Sequence, residues 1–212
     1  MTQKPYLNAG CGRIILPGEQ PAHHGLVSPA IYQYPYWVNA DRNMQPGVDK
    51  VIDLFSYPWD FPDNSFDGAL FSHVCEHIPH GIKLKDDSPR AQELAKCQDG
   101  WYSWWAEAHR VCTPGAIIHV LSPYAWSQGS MTDPSHTRYL TEHTFSHSMK
   151  PDPNSPFEYA TGGLHFEQDD PAVFRVTEMF AHLQDDPQEL TRALQTRINV
   201  AYELYVKLRA VK

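Results

Sequence analysis

PYLNAGCG, at residues 5–12, is a short extended segment that runs directly into a turn. The two glycines of this turn, Gly10 and Gly12, have no Cβ atom, so the backbone there can bend sharply and approach a ligand closely. In open α/β sheets, ligands bind in the crevice beyond the carboxyl ends of the strands. The stretch therefore predicts a first strand that ends at a binding crevice, although the longer dinucleotide pattern G-x-G-x-x-G is absent.

The rest of the first 125 residues alternates short apolar segments with a helical pattern. Between Ser88 and Val111 apolar residues recur mostly three or four positions apart, with Gly100 as a candidate break into two helices. Such alternation favours an α/β fold with a mostly parallel central sheet between layers of helices. The segments predicted as further strands are YWVNAD (36–41), VIDLF (51–55), FDGALFSHV (66–74) and AIIHVLSP (116–123).

The chain length predicts one domain over residues 1–212, because such a length can bury one full core. Residues 5–125 form the predicted core. Residues 126–186 are predicted as substrate-side loops with a hairpin around Gly162-Gly163. Residues 187–212 are predicted as a C-terminal helix packed on the sheet, with a dimer contact as the alternative. The apolar face of that helix consists of Leu190, Leu194, Ile198, Ala201, Tyr205 and Leu208.

Composition narrows the class of partner. The formal net charge is −8 at pH 7, and no cluster of Lys and Arg marks a surface for nucleic-acid phosphates. No apolar run approaches the roughly 20 residues that span a bilayer. The four cysteines form no C-x-x-C pair, and MTQKPYLNAG lacks the features of a secretion signal. We therefore expect a cytoplasmic protein that binds neither nucleic acid nor membrane.

Two acidic residues follow predicted strands on the same side as the glycine turn. Asp41 ends the second strand, where an acid in nucleotide-binding folds accepts hydrogen bonds from both ribose hydroxyls. Asp53, near the end of the third strand, is placed to meet an adenine amino group. For either residue the alternative is a structural role as a helix N-cap or turn residue.

Seven motifs occur in order between residue 5 and about residue 125. They are LNAGCG (7–12), LPG (16–18), WVNAD (37–41), DL (53–54), FPDNSFD (61–67), SHVCEHI (72–78) and EAHRVCTPG (107–115). This order resembles the class I S-adenosylmethionine-dependent methyltransferases, within the short bacterial and phage-type group (methyltransferase type 11-like). The resemblance implies a Rossmann-like three-layer sandwich that uses S-adenosylmethionine as methyl donor and releases S-adenosylhomocysteine.

The resemblance also assigns contacts with the cofactor along the carboxyl edge of the sheet. It implies that Gly10 and Gly12 face the methionine part and that Asp41 holds the ribose. By the same comparison, the end of the third strand borders the adenine and the end of the fourth lies near the donor. The predicted cofactor-binding residues are Asn8, Gly10, Cys11, Gly12, Asp41, Arg42, Asp53, Leu54, Ser72 and His73.

Two features depart from the family pattern. The family goes from LPG directly to the second strand, whereas here residues 19–36 intervene. This insertion either covers the site or is a surface elaboration, which is the commoner fate of inserted loops. Asn8 stands where many family members carry an acidic or apolar residue.

The predicted catalytic residues are His73, His136 and Arg138. The last two lie in DPSHTRYLT, a loop beyond the fifth predicted strand. His136 or His73 could remove a proton from an acceptor, because histidine titrates near neutral pH. Arg138 could hold an anionic group. Alternatively, these polar side chains have a structural role and hold the loop together by hydrogen bonds within it.

A competing motif lies at the end of the fourth predicted strand. His73, Glu76 and His77 form H-x-x-E-H, the arrangement of inverted zinc peptidases. Zinc binding of that kind requires a helix and a third ligand, whereas the segment continues a strand and opens a loop with Pro79. We therefore predict no metal ligand and keep a zinc hydrolase as a minor alternative. The simpler interpretation is that Glu76 and His77 orient the loop.

The class of methyl acceptor is restricted only by motifs that the sequence lacks. The fourth strand does not end in N/D-P-P-Y/W, and no Pro-Cys pair marks a C5-cytosine nucleophile, which disfavours nucleobase methylation. A small molecule, a sugar or a protein side chain remains as the predicted acceptor. The main alternative is a module that binds S-adenosylmethionine without catalysis.

Overall fold

One eight-stranded sheet organises the computed structural model, which describes residues 3–19, 24–148 and 156–212. The strands are β1 Tyr6–Ala9, β2 Trp37–Asp41, β3 Lys50–Val51, β4 Ser56–Tyr57, β5 Phe66–Ser72, β6 Lys83–Leu84, β7 Cys112–Pro123, β8 His165–Gln168, β9 Val173–Val176 and β10 Ala201–Val211. The helices are α1 Pro29–Tyr32, α2 Pro89–Ala95, α3 Gly100–Val111, α4 Gln128–Thr132, α5 Glu142–Ser148, α6 Pro156–Thr161 and α7 Pro187–Thr196. Cys75–His77 and Glu178–Leu183 form 3₁₀ turns.

The sheet has a parallel half and an antiparallel half. In the parallel half the strand order is β3-β2-β1-β5-β7, and all of these neighbours run parallel. In the antiparallel half β10 pairs with β7 on one side and with β8 and β9 on the other. The separate pair β4 and β6 is parallel. The prediction of an α/β fold with a mostly parallel central sheet is therefore confirmed.

Both faces of the sheet are buried, as expected for parallel strands. Along β5, Phe71 packs on one face, where its ring lies 5.3 Å from that of Trp104 in α3. Leu70 points to the other face and joins Val27 and Tyr32 from the segment before β2. The inserted segment therefore covers the second face of the sheet. Residues 20–23 of the insertion lie outside the described residues.

The predicted break at Gly100 is confirmed, and its cause is local. Asp99 caps α3 by accepting a hydrogen bond from the backbone N–H of Trp101 at 2.7 Å. A Cβ atom on Gly100 would lie 2.2 Å from the carbonyl oxygen of Pro79. Only glycine lets the start of α3 approach the loop after β5 so closely.

The segment from residue 52 to Trp59, which follows β3, is anchored by a buried carboxylate of α3. Glu107 is fully buried and accepts a hydrogen bond from the backbone N–H of Trp59 at 2.7 Å. Arg90 and Arg110 donate to the same carboxylate at 2.9 and 2.7 Å. A buried charge is tolerated because it is paired and hydrogen-bonded.

The prediction of a helix over residues 187–212 is wrong beyond Thr196. After α7, residues 201–211 form β10 in the interior of the sheet. Leu204, Val206 and Leu208 alternate along this strand and are buried in the main core, whereas Ile198 of the proposed helical face is 67% exposed. The spacing of the apolar residues in this segment fits the period of a helix as well as that of a strand. Hydrogen bonding to β7 favours the strand. A dimer contact through a helix of residues 187–212 loses its basis.

The hairpin predicted around Gly162-Gly163 is also wrong. The residues before the glycines form helix α6, and those after them form β8. Gly162 and Gly163 have φ angles of +73° and +99° and therefore end the helix in the left-handed region that glycine tolerates. No helix within the described ranges is both long enough and apolar enough to cross a bilayer.

Candidate cofactor site

A cavity of about 390 Å³ opens beyond the carboxyl ends of β1, β2 and β5. This is the edge of an open α/β sheet at which ligands bind. Five of the predicted cofactor-binding residues line it, namely Gly10, Asp41, Arg42, Asp53 and Leu54. The other lining residues are Ile52, Phe55, Val74, His77, Pro79 and Ser135.

The glycine turn after β1 has the geometry that its sequence predicts. Gly10 and Gly12 adopt φ angles of +66° and +51°. A Cβ atom on Gly10 would lie 2.9 Å from Cγ2 of Val74, which also borders the cavity. The turn therefore requires glycine at position 10 for its conformation and for its contact with the loop after β5.

Asp41 holds the glycine turn and faces the cavity. Its Oδ2 accepts a hydrogen bond from the Gly12 N–H at 2.9 Å, and its Oδ1 accepts one from the Asn43 N–H at 2.8 Å. An ionised carboxylate offers about four acceptor positions, so both oxygens retain capacity for a ligand. Asp41 therefore has the structural role of a turn residue. The same two hydrogen bonds hold its carboxylate in an orientation that further donors can reach.

Residues 52–55 form one wall of the cavity, and only Lys50–Val51 pair as β3. Asp53 makes the turn by accepting hydrogen bonds from the Phe55 N–H at 3.1 Å and the Ser56 hydroxyl at 2.6 Å. Lys83 donates to the same carboxylate at 2.8 Å. Burial alone would raise the pKa of Asp53, but these hydrogen bonds outweigh it and lower the pKa. Asp53 is thus an ionised turn residue at neutral pH.

The remaining predicted cofactor-binding residues do not line the cavity. Asn8 is buried and ties β1 to the inserted side of the chain, because its amide donates to the Ile14 carbonyl at 2.7 Å and to Asn39 Oδ1 at 2.9 Å. Burial raises the pKa of Cys11 to about 11, so this thiol stays protonated. The predicted cofactor-binding residues that do not line the cavity are Asn8, Cys11, Gly12, Ser72 and His73.

The inserted segment reaches the carboxyl end of β5 through a buried histidine. Nε2 of His24 lies 2.6 Å from the Ser72 hydroxyl, and its Nδ1 lies 2.6 Å from the Tyr32 hydroxyl. Ser72 therefore engages the insertion on the second face of the sheet. The insertion both covers this face and contacts a residue beside the predicted site.

His73 lies between two buried carboxylates. Its Nδ1 is 3.5 Å from Glu76 Oε1, and its Nε2 is 3.2 Å from Glu203 Oε1 of β10. Burial lowers the pKa of His73, but the hydrogen bonds to Glu203 and Glu76 outweigh burial and raise the pKa to about 9. A pKa of about 9 favours the protonated imidazole at neutral pH, which argues against a base at this position, and the role of His73 stays a prediction.

The H-x-x-E-H motif does not adopt the helix that an inverted zinc peptidase requires. His73 has a φ angle of +51°, and only Cys75–His77 form a 3₁₀ turn. The two histidines of the motif are therefore not presented one α-helical turn apart. The zinc hydrolase interpretation of His73, Glu76 and His77 is wrong.

The DPSHTRYLT loop is stitched to the loop after β5. Arg138 donates from Nε to the Ile78 carbonyl at 2.9 Å and from Nη2 to the Pro79 carbonyl at 2.9 Å and Asp99 Oδ1 at 2.5 Å. Arg138 therefore has the alternative role, in which its hydrogen bonds hold the two loops together. These bonds also place Ser135 at the cavity. His136 lies beside His77, with 4.8 Å between ring centroids.

Sequence reasoning missed the far wall of the cavity. Phe55 is part of the quoted VIDLF segment, but nothing in its spacing shows that it faces a ligand. His77 and Ser135 belong to polar motifs, which marked them as candidates in the sequence. Their proximity in the structure, however, depends on the contact between two loops that are distant in the chain. Thr137 makes that contact by donating to the Ile78 carbonyl at 2.7 Å.

Comparison with solved structures identifies the fold. A SAM-dependent methyltransferase from Archaeoglobus fulgidus is similar over 98% of this chain and 86% of that chain, with a TM-score of 0.55 and 16% identity. A 1,6-didemethyltoxoflavin-N1-methyltransferase from Burkholderia thailandensis matches over 99% of this chain and 72% of that chain, with a TM-score of 0.48 and 15% identity. No family model matches the sequence, and no curated protein does. The first similarity shows that the chain has the Rossmann-like methyltransferase fold.

Proposed function

We propose that the protein is an S-adenosylmethionine-dependent methyltransferase that binds its donor in the cavity lined by Gly10 and Asp41. One observation carries the proposal. The glycine turn after β1 and the acid at the end of β2 border the same cavity, at the ligand-binding edge of a sheet with the methyltransferase fold.

The cavity offers a different chemistry to each part of the donor. Asp41 is fixed by two backbone N–H groups and retains acceptor capacity for ribose hydroxyls. Ile52, Leu54 and Phe55 supply an apolar wall on which an adenine ring can pack. Gly10 borders the cavity in a left-handed turn, where its backbone can approach the methionine part closely.

S-adenosylmethionine supplies an electrophilic methyl group when bound, and the displacement leaves S-adenosylhomocysteine. The protein's contribution is then mainly alignment of the acceptor and exclusion of water. The raised pKa of His73 argues against this residue as the base. His136 is the remaining candidate base, because its Nδ1 donates to the Ser130 carbonyl at 2.9 Å, which leaves Nε2 as the nitrogen that would accept a proton.

The acceptor that we propose is a small molecule, a sugar or a protein side chain. The net charge of −8 supports an acceptor other than nucleic acid, since phosphate binding requires clustered cations. His77 and Ser135 line the cavity of the proposed donor and are polar residues suited to a polar acceptor.

Calorimetric titration with S-adenosylhomocysteine tests the cofactor assignment. Asp41→Asn keeps the size of the side chain and removes its charge, and we expect binding to weaken about 10- to 100-fold, the loss of a charge-assisted hydrogen bond. Asp60→Asn is the matched control, because Asp60 is an exposed acid paired with Lys50 outside the cavity. Equal affinity in both variants, or no binding by the wild type, would contradict the proposal.

A further inference from the structure

We propose that Glu76, His77 and His136 form a binding site for a divalent metal ion of the zinc class at the rim of the cavity. One ligand atom from each residue lies within 4.8 Å of the others. His77 and Glu76 come from the 3₁₀ turn after β5, and His136 comes from the loop that Arg138 stitches to it. The site differs from the sequence motif, because His73 is not a member.

The separation of the three residues suits a single ion after a small contraction. Zinc binds imidazole nitrogen and carboxylate oxygen at about 2.0–2.2 Å, so tetrahedral ligand atoms lie about 3.4 Å apart. Ligand atoms 4.8 Å apart therefore need to move inward by up to about 0.8 Å each.

Both histidine rings are held in the way that metal-binding histidines are held. Nδ1 of His77 lies 3.2 Å from the Ser135 carbonyl oxygen, and Nδ1 of His136 lies 2.9 Å from the Ser130 carbonyl oxygen. A carbonyl oxygen only accepts hydrogen bonds, so Nδ1 is a donor in each ring and Nε2 is the nitrogen that a metal ion would bind. A backbone carbonyl on the second ring nitrogen fixes the tautomer and orientation of a metal ligand.

Glu76 supplies the negative charge of the site. Its side chain is about 98% buried, and its Oε2 has no hydrogen-bond partner among the residues that the structure describes. A buried carboxylate oxygen without a partner is costly, and a cation bound beside it would offset that cost. The backbone carbonyl of Glu76 accepts the Thr137 and Arg138 N–H groups, which brings the His136 loop to the same place.

Two imidazoles and one carboxylate leave a fourth position open, as in catalytic zinc sites. Because His77 and Ser135 line the cavity, a metal ion held here would lie next to the space beside the proposed donor. A catalytic use, as the anchor for an oxygen of the acceptor, rests on the proposed function and would take the place of His136 as a base, because the metal would occupy Nε2 of that residue. The metal site itself does not, since its ligands are separate from Gly10 and Asp41.

The test is titration of untagged, chelator-treated protein with Zn²⁺, followed by calorimetry and metal analysis. We expect one saturable zinc site per chain. His136→Ala and His77→Ala should each weaken it at least about tenfold, the smallest loss seen when the surroundings of a metal are altered. His143→Ala is the matched control, because that histidine is 72% exposed and outside the cluster, and its zinc affinity should equal that of the wild type.

Absence of a saturable zinc site in the wild type would overturn the metal site without reference to any variant. Zinc binding that survives both His136→Ala and His77→Ala would overturn it as well. Titration of the same samples with S-adenosylhomocysteine separates the two proposals. A chain that binds zinc at these residues but not S-adenosylhomocysteine supports the metal site and contradicts the proposed function.

Discussion

The parallel half of the sheet and its antiparallel half contribute differently to the molecule. In the parallel half, each strand ends at the same edge, and the turns after β1 and β2 and the loop after β5 converge on one cavity. In the antiparallel half, β10 lies between β7 and the short strands β8 and β9, and none of its residues lines the cavity. The difference indicates that the turns and loops after the parallel strands shape the cavity, whereas the antiparallel strands complete the core.

One link joins the two halves at the site. Glu203 of β10 lies 3.2 Å from His73, and Arg175 of β9 pairs with Glu203 at 3.1 Å. The antiparallel half therefore sets the charge of a histidine beside the cavity without entering it. We expect substitutions in the antiparallel half to lower stability and substitutions at the cavity of the parallel half to weaken the proposed binding.

The largest expected effect is on stability alone. Leu208 of β10 is fully buried in the main core, and Leu208→Ala should lower the free energy of unfolding by roughly 2–5 kcal/mol. The affinity for S-adenosylhomocysteine should be unchanged at a temperature where the variant is folded. Ile198→Ala, at a residue 67% exposed, should cost less than about 0.5 kcal/mol. Urea unfolding and calorimetry measure both quantities, and a weaker affinity in Leu208→Ala would break the distinction between the halves.

A second effect concerns the seam between the halves and depends on pH. His119 of β7 is buried, with Nδ1 2.7 Å from the Tyr205 hydroxyl of β10, and burial lowers its pKa to about 4. The unfolded chain binds a proton at about pH 6.5, before the native state does, so stability is lost as the pH falls from 6.5 towards 4.

Between pH 7 and pH 5 this residue should cost about 2 kcal/mol of unfolding free energy. His119→Gln cannot titrate, and its stability should fall less over the same range by about that amount. Urea unfolding of both proteins at the two pH values measures the difference. Parallel pH profiles for the two proteins would contradict a lowered pKa of His119 in the native state.

The smallest effect on stability is expected at the glycine turn, where binding should suffer more. Gly10→Ala places a side chain at φ +66° and against Val74, which should cost about 1–2 kcal/mol and weaken S-adenosylhomocysteine binding. Gly115→Ala is the control, because Gly115 has a φ angle of +80° and open space around it, far from the cavity. It should be strained to a similar degree and bind normally. Equal affinity of the two variants for S-adenosylhomocysteine would show that the glycine turn is not part of the binding site.

The sequence predicted those parts of the site whose signals are local. A turn that requires glycine, and an acid at the end of a strand, are visible in PYLNAGCG and WVNAD, because backbone sterics and strand order place them. The third strand was predicted too long, because the side chain of Asp53 turns the chain at residues 53–56.

The parts that failed depend on contacts between distant segments. Residues 201–211 carry apolar residues that suit either a helix or a strand, and pairing with β7 decides between them. The pKa of His73 depends on Glu203, 130 residues later in the chain. Arg138 looked like an anion site in the sequence, but the loop after β5 occupies its Nε and Nη2 donors.

Hydrogen exchange of the wild-type protein with and without S-adenosylhomocysteine locates binding on the chain and therefore tests whether the cavity beside Gly10 and Asp41 holds the donor. We predict slower exchange at the amides of residues 10–12, 41–43 and 52–55, and no change in α7 or β9. Protection confined to residues 165–211, or no protection at a saturating concentration, would contradict it.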